Sequence, residues 1–486
     1  MVHAAIVRHR GFNMAATVSC QHGPMGEVRV LLRSAPITTI DEYLVAGGGE
    51  ALRAARALGP AATIEEITAS GLRGRGGAGF PTGAKWASVR SAGGGTHYAV
   101  ANGAEGEPAT FKDRTLMRVD PYRVVEGLAV AAFCVDAPTA YVGVKRSFGV
   151  EAANLRRAAV DLGDAGMLGD LTISIVEGPD EYLFGEEKAL LEVIEGRDPL
   201  PRLLPPWQHG LFATVTMGWE AGTPAGSVQA SNPTLVNNVE TLAAAAHILA
   251  RGATWHRSLG TADSAGTAIV TIVGDVRVPG VHEVELGTPL SEVIARCGGA
   301  EPNRTLKAAF SGVSNPVLPA SAFDIPLSYE AFAARGSGLG AAGFVIYDDT
   351  ADMVTVAAEL TRFLAVESCG QCPPCKRGST ELTEILTRIA HGGGSDGDLT
   401  RIEALLGSVT DANRCYLGTE VQRLVASVLR EFPDDVAAHL EGRPPIERDV
   451  IVPKIVEIDA DGAVVYDERH RLKLPDWTYA DDSSRR

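Results

Sequence analysis

Apolar positions recur along the chain at two spacings. Between 40 and 58, Leu44, Leu52, Ala55 and Leu58 fall at roughly helical intervals and predict a helix. Thr63 followed by Glu66 predicts the start of another, with Thr63 as N-cap in a capping box. Short apolar runs at 98–101, 140–144 and 171–176 read as strands, and 28–32 as a shorter one. Helical stretches at 122–133 and 150–162 lie between them. Strands alternating with helices point to an α/β unit with a parallel sheet. The segment 266–286 is β-rich with a Pro279-Gly280 turn, and a helix over 289–297 stops at Gly298-Gly299. Four more helices are expected, at 349–366 (capped near Thr350), 380–389, 402–406 and 419–440. The last carries Val421, Leu424, Val425, Val428, Leu429 and Phe432 on one face. Short strands are expected at 450–456 and 463–466, and no internal repeat is visible.

Composition narrows the class. The 486 residues are 45% hydrophobic and 21% charged, which excludes disorder as the main theme and suggests about three domains. A net charge of −16 argues against nucleic acid or an anionic membrane surface as the main partner. Glu126, Gly127, Asp136 and Pro138 interrupt the longest apolar stretch, so no direct membrane insertion is expected. The first twenty residues lack a continuous apolar core for a secretory signal, and a cytoplasmic location is expected, free or peripheral to a membrane-bound complex.

The cysteines carry the sharpest chemistry. Cys369, Cys372 and Cys375 form C-x2-C-x2-C within ESCGQCPPCKRG, and Cys415 follows in NRCYLG. Four thiolates suit a cubane iron–sulfur cluster, one per iron. Zinc is the rival, but its ribbons pair two CxxC hairpins, and a second hairpin is absent here. Cys20, Cys134 and Cys297 are scattered among apolar neighbours and read as incidental or buried thiols.

A second motif is GLRGRGGAGFPTGAKW, residues 71–86. Its glycines let backbone N–H groups approach a phosphate or a flat ring, and Arg75 and Lys85 add positive charge. It matches neither the P-loop nor the strand–GxGxxG–helix fingerprint. Asn102, Glu105 and Glu107 follow a predicted strand, where α/β proteins place ligands. Gly185-Glu186-Glu187 opens a helix, so its acids have a capping role as the plain alternative. Asn237 and Asn238 precede another helix, as polar ligands or as an N-cap pair.

In this order, the glycine segment, EGEPATFKDR, YLFGEEKALLEVIEG, NNVETL, ESCGQCPPCKRG and CYLG resemble the NADH-binding flavoprotein (51 kDa, F-type) of NADH:quinone oxidoreductase. The same type serves as the diaphorase subunit of NAD-linked formate dehydrogenases and hydrogenases. The resemblance covers about 30–440. It implies an N-terminal extension over 1–30 and a Rossmann-like α/β domain for FMN and NADH over 31–255. A ubiquitin-like β-grasp (SLBB) domain over 265–340 and an α-helical bundle with one 4Fe-4S cluster over 349–440 follow, then a tail over 441–486. It places FMN on the glycine loop (Gly74, Arg75, Gly76, Gly77, Gly79, Lys85) and against Asn102, Glu105, Tyr182, Gly185, Glu186, Asn237, Asn238 and Thr241. It puts Glu107 at the nicotinamide and flavin N5 as the catalytic carboxylate, and Glu187 at the nucleotide ribose, favouring NADH. Phe80 and Trp207 would stack the adenine. Cys369, Cys372, Cys375 and Cys415 would hold the cluster, with a thioredoxin-like 2Fe-2S (24 kDa type) subunit and a larger iron–sulfur subunit or dehydrogenase as partners.

Four positions depart from the family pattern. Ala104 stands where an Asp contacts flavin, Ser88 where an aromatic is common, Lys188 where the family has Thr, and Leu204 where Lys precedes Pro-Pro-aromatic. The connection between Trp207 and Asn232 is long. With Cys20 alone ahead of Cys134, no fused N-terminal 2Fe-2S domain is expected. The expected function is an NADH dehydrogenase subunit passing single electrons from FMN to the cluster and on to partners. The alternative is a divergent paralogue that keeps FMN and 4Fe-4S but has altered or lost NADH binding. A zinc-stabilised interaction protein is the third reading.

Overall fold

The computed structural model describes residues 29–215, 228–442, 448–459 and 461–480. Cys20 and residues 216–227 of the long 207–232 connection lie outside them.

A four-stranded parallel sheet organises the first domain, in the order Thr172–Gly178, Thr139–Lys145, Tyr98–Asn102, Thr234–Asn238. Strand alternation divides its faces. Ala99, Ala101 and Leu235 join a core with the helices Pro121–Cys134 and Val239–Arg251. Val100 and Val236 face the other way, onto Phe184, Leu190 and Leu191. The two covering helices pack closely because Gly127 has no side chain: a Cβ there would lie 2.1 Å from the Leu242 carbonyl oxygen. The chain leaves Tyr98–Asn102 toward Thr139–Lys145 on one side and reaches Thr234–Asn238 on the other. Asn102 and Asn238 are register partners at the carboxyl edge, so this strand is the topological switch point where such sheets bind ligands.

The second domain is a five-stranded sheet with Gly343–Asp348 and Thr267–Gly274 parallel at its centre and the helix Leu290–Arg296 in its core. This is the β-grasp arrangement. Its central strand runs past residue 340, the expected end, because the sheet needs Gly343–Asp348 to join its two halves. Helices Met353–Glu367, Pro373–Ala390, Asp396–Leu406, Leu417–Glu431 and Pro433–Leu440 build the third domain.

Several elements differ from the sequence expectation. The 40–58 helix is two, Ile40–Val45 and Glu50–Leu58, parted by three glycines. Thr63 is not an N-cap: Pro60 starts that helix, and the Thr63 hydroxyl bonds back to the Gly59 carbonyl. Asp352, not Thr350, caps the helix before the cysteines. Pro433 divides the expected 419–440 helix. At 30–32 no strand forms; the N–H groups of Val30, Leu31 and Leu32 all donate to Glu283 Oε2 at 2.8–2.9 Å. Ile455–Ile458 and Val464–Tyr466 pair antiparallel. The C-terminal segment folds back on the body: the Arg114 guanidinium donates to the Ile455 carbonyl, and Ala109 N–H to that of Pro453.

Candidate functional site

A cleft of about 620 Å³ opens at the carboxyl edge of the parallel sheet, where all three domains meet. Its floor is the glycine loop. Gly79 has φ +62°, and a Cβ there would press to 2.5 Å of the Tyr329 ring, so glycine is required. Gly74, Gly76, Gly77, Phe80 and Lys85 line the cleft with it.

Around this floor converge Asn102, Glu105, Glu107, Tyr182, Gly185, Glu186, Glu187, Asn237, Asn238 and Thr241. Many are held by partners that fix their orientation. Asn102 donates to the Gly185 carbonyl at 2.8 Å. Asn237 Oδ1 accepts from the buried Trp86 indole at 2.8 Å. Asn238 is the N-cap of Val239–Arg251 and donates to Asp113 at 2.7 Å. Thr241 Oγ1 accepts the Arg75 N–H at 2.8 Å. Glu186 caps the helix Glu187–Ile194, accepting from the N–H groups of Lys188 and Ala189. Burial still pushes its carboxyl up to about 7, against the pull of Lys188.

Two expected residues stand elsewhere. The Arg75 guanidinium turns away from the cleft, into the second domain, and donates to Tyr329 Oη and the Ala265 carbonyl. Only its backbone belongs to the loop. Trp207 is half-exposed and does not line the cleft. Of the four departures, only Ala104 reaches the wall. Lys188 points to the Arg414 carbonyl, beside Cys415.

Beneath the wall lies a buried charge cluster that the sequence pattern did not single out. Lys112 Nζ sits 2.6 Å from Asp113 and 2.8 Å from Glu240. Burial raises Asp113 to about 7, and Lys112 only partly offsets it because the nearby like charges of Glu105 and Glu240 add to the rise. The motif FKDR held Lys112 and Asp113, but nothing in the spacing distinguished a buried pair from a solvated one.

Glu107 is partly buried at the cleft wall. Its Oε2 accepts from Tyr182 Oη at 2.6 Å, and its Oε1 from the Val313 and Ser314 N–H groups at 2.7 and 3.2 Å. The second domain thus supplies backbone donors to a carboxylate of the first. Burial raises its pKa, and these bonds oppose the rise. Glu420 Oε1, also unmarked in the sequence, lies 3.2 Å from the same Tyr182 hydroxyl oxygen.

The four cysteines lie at and behind the far wall. Cys415 lines the cleft itself, and Cys372 and Cys375 are buried in the helical core with Cys369 against it. Burial pushes the Cys375 and Cys415 thiols up, and Cys369 adds to both shifts, so the sulfurs share one neighbourhood. Among the described residues no three His, Cys, Asp or Glu side chains converge on a single ion. A cubane needs no such convergence, since each thiolate takes a separate iron, and the all-sulfur donor set fits it. The glycine floor with its asparagines likewise fits a flavin phosphate and ring.

Fold and site together define a flavin- and iron–sulfur-binding oxidoreductase subunit. Residues 67–247 match the Nuo51 FMN-binding domain, 269–310 the SLBB domain, and 355–439 the NADH-ubiquinone oxidoreductase-F iron–sulfur binding region. The second F-type chain of NADH-quinone oxidoreductase from Rhizobium meliloti (strain 1021) is 37% identical over 430 residues, covering 85% of this chain and 98% of the relative. The NADP-reducing hydrogenase subunit HndC of Solidesulfovibrio fructosivorans is 34% identical, covering 83% and 81%. An NAD+-reducing [NiFe]-hydrogenase structure superposes with a TM-score of 0.69 at 31% identity, over 86% of this chain and 68% of that one. The chain belongs to the F-type flavoprotein family of NADH-quinone oxidoreductase. Its cofactors are accordingly FMN and a 4Fe-4S cluster.

Proposed function

We propose that this chain is the NADH-oxidising entry subunit of a larger assembly, and that the cleft residues divide the work. When bound, FMN supplies the exchange between hydride and single-electron chemistry, and the cluster supplies one-electron transfer. The glycine loop 74–79 and the N–H groups behind it would hold the flavin phosphate, with Asn102, Asn237, Asn238 and Thr241 orienting the rest. Glu107 would face the nicotinamide. Its two backbone donors and Tyr182 orient the carboxylate. Glu187 and Lys85, paired at 2.8 Å, would meet the nucleotide ribose, and an acid there disfavours a 2′-phosphate. Cys369, Cys372, Cys375 and Cys415 would hold the cluster.

One observation carries the reading: Cys415 lines the same cleft as the glycine loop and Glu107. Hydride acceptance and electron exit share a wall. That Ser88, Lys188 and Leu204 stand off this cleft supports intact NADH binding over the divergent alternative.

The chain's relatives bear the names of subunits, so partners follow; a separate thioredoxin-like 2Fe-2S chain and a larger iron–sulfur subunit or dehydrogenase fit best. No described helix is long and apolar enough to cross a membrane. A cytoplasmic site, free or peripheral to a membrane complex, fits that composition.

The test is an anaerobic titration of the cofactor-replete protein with NADH, with NADPH as control. Stoichiometric bleaching of the flavin band by NADH is expected. Reduction by dithionite alone would move the protein to the electron-transfer alternative.

A further inference from the structure

Tyr182 is shared by two carboxyl groups, the part-buried Glu107 and the buried Glu420. Its hydroxyl lies 2.6 Å from Glu107 Oε2 and 3.2 Å from Glu420 Oε1. A phenol has one hydrogen to give. If both carboxyls were ionised, one of these contacts would hold no hydrogen and set two oxygen lone pairs against each other. One acid must therefore carry a proton for the line Glu107–Tyr182–Glu420 to be continuous.

The bonding of the remaining oxygens decides which. Glu107 Oε1 accepts two backbone N–H groups, which suits a carboxylate. Glu420 Oε2 is buried with no hydrogen-bond partner among the described residues, a place where an ionised oxygen is costly. The groups acting on Glu420 are acidic as well: Glu107 and Glu186 both disfavour its charge.

We propose that Glu420 stands as a neutral acid donating to Tyr182 Oη, so that the Tyr182 hydrogen is committed to Glu107, and that Glu420 is thereby a positioning residue for the hydride site. It acts on Glu107 through Tyr182. Glu420 comes from the helix Leu417–Glu431, which also carries the cluster-side wall. The third domain thus sets the orientation of a carboxylate in the first. This inference rests on the reading that Glu107 works at the nicotinamide.

The test uses the cofactor-loaded protein and four substitutions. Glu420→Gln keeps a donor of the same shape, because its amide N–H can bond Tyr182 Oη. Glu420→Leu keeps the volume and removes the donor. Flavin bleaching at saturating NADH is expected to slow roughly tenfold in Glu420→Leu with little change in KM, and Glu420→Gln is expected to recover at least half of the lost rate. Combined with Tyr182→Phe, Glu420→Leu should add nothing further, since both act on one hydrogen bond. An independent readout is the infrared difference spectrum of wild type minus Glu420→Gln, expected to show the C=O band of one protonated carboxyl while the bands of Asp113 and Glu186 cancel. Flavin and iron content and the melting midpoint control for folding. If Glu420→Gln is as slow as Glu420→Leu, or the difference spectrum holds no acid band, the assignment is wrong. If Glu107→Gln bleaches at the wild-type rate, the reading of Glu107 fails instead, and the band still reports on Glu420.

Discussion

Lys473 Nζ lies 2.9 Å from Glu367 Oε1, a buried ion pair that ties the C-terminal segment to the residue two before the first cluster cysteine. His470 adds a second contact at 3.0 Å, and the other carboxylate oxygen accepts the Tyr182 N–H at 3.0 Å. Burial alone would raise Glu367, but His470 and Lys473 hold it well below the carboxylate range. Lys376, next to Cys375, donates to the carbonyls of Ala365, Ser368 and Pro475. The Trp477 indole donates to the Val366 carbonyl. The segment expected as an outlying tail is therefore a strap over the cluster loop.

Removing one partner of such a pair leaves an uncompensated buried charge, which costs about 3 kcal/mol. Lys473→Met should lower the unfolding free energy by that order and reduce iron retained per flavin. Denaturant melts and iron analysis check this. Unchanged iron content together with an unchanged midpoint would show that the strap does not support the cluster.

How far the site was legible in sequence follows from what each residue needs. The glycine loop and the CxxCxxC run carry their chemistry in local spacing, so both were readable. Arg75 was misplaced because charge near a glycine loop suggests a phosphate contact, whereas its direction depends on Tyr329, 254 residues away. Glu420 left no signal, because an acid on a helix face is usually solvated, and only the packing of helix Leu417–Glu431 against Tyr182 buries it. The strap was opaque for the same reason: its value lies in Glu367, a partner far off in sequence.

Cys415 alone of the four thiols lines the cleft. Cys415→Ala removes one corner of the cluster without touching the glycine loop. Flavin content should be retained, the iron–sulfur absorption should fall, and NADH should still bleach the flavin. Electron delivery to a one-electron acceptor protein should be lost. Full iron content in the variant would assign the fourth ligand to another residue.

Lys85 and Glu187 are paired at 2.8 Å and partly exposed. Glu187→Gln removes the acid and frees the ammonium, turning the pocket from hostile to favourable toward a 2′-phosphate. The ratio of kcat/KM for NADPH to that for NADH should rise roughly tenfold, equivalent to about 1.4 kcal/mol. A ratio unmoved by the substitution would place the ribose elsewhere.

Lys145 gives a pH dependence with a definite sign. Its ammonium is buried beneath the 105–107 turn: a Cβ on Gly106 would lie 2.7 Å from Nζ. Its hydrogen bond goes to the Asp180 carbonyl at 3.3 Å, and no described carboxylate lies within ion-pair reach of it. Burial, with Lys454 and Arg114 adding repulsion, lowers its pKa from 10.5 to about 7. Between those values the unfolded chain holds a proton that the folded protein has released, so this group makes stability rise with pH. The slope it contributes is at most about 1.4 kcal/mol per pH unit. Below about pH 7 both states are protonated and the full cost of the buried charge is present. Lys145→Met removes that cost. The variant should melt higher than wild type at pH 7, and the gap should narrow as the pH approaches 9. Parallel melting curves for the two proteins across that range would mean the ammonium is solvated in the folded state, and the turn that carries Glu105 and Glu107 would then rest on a hydrated floor.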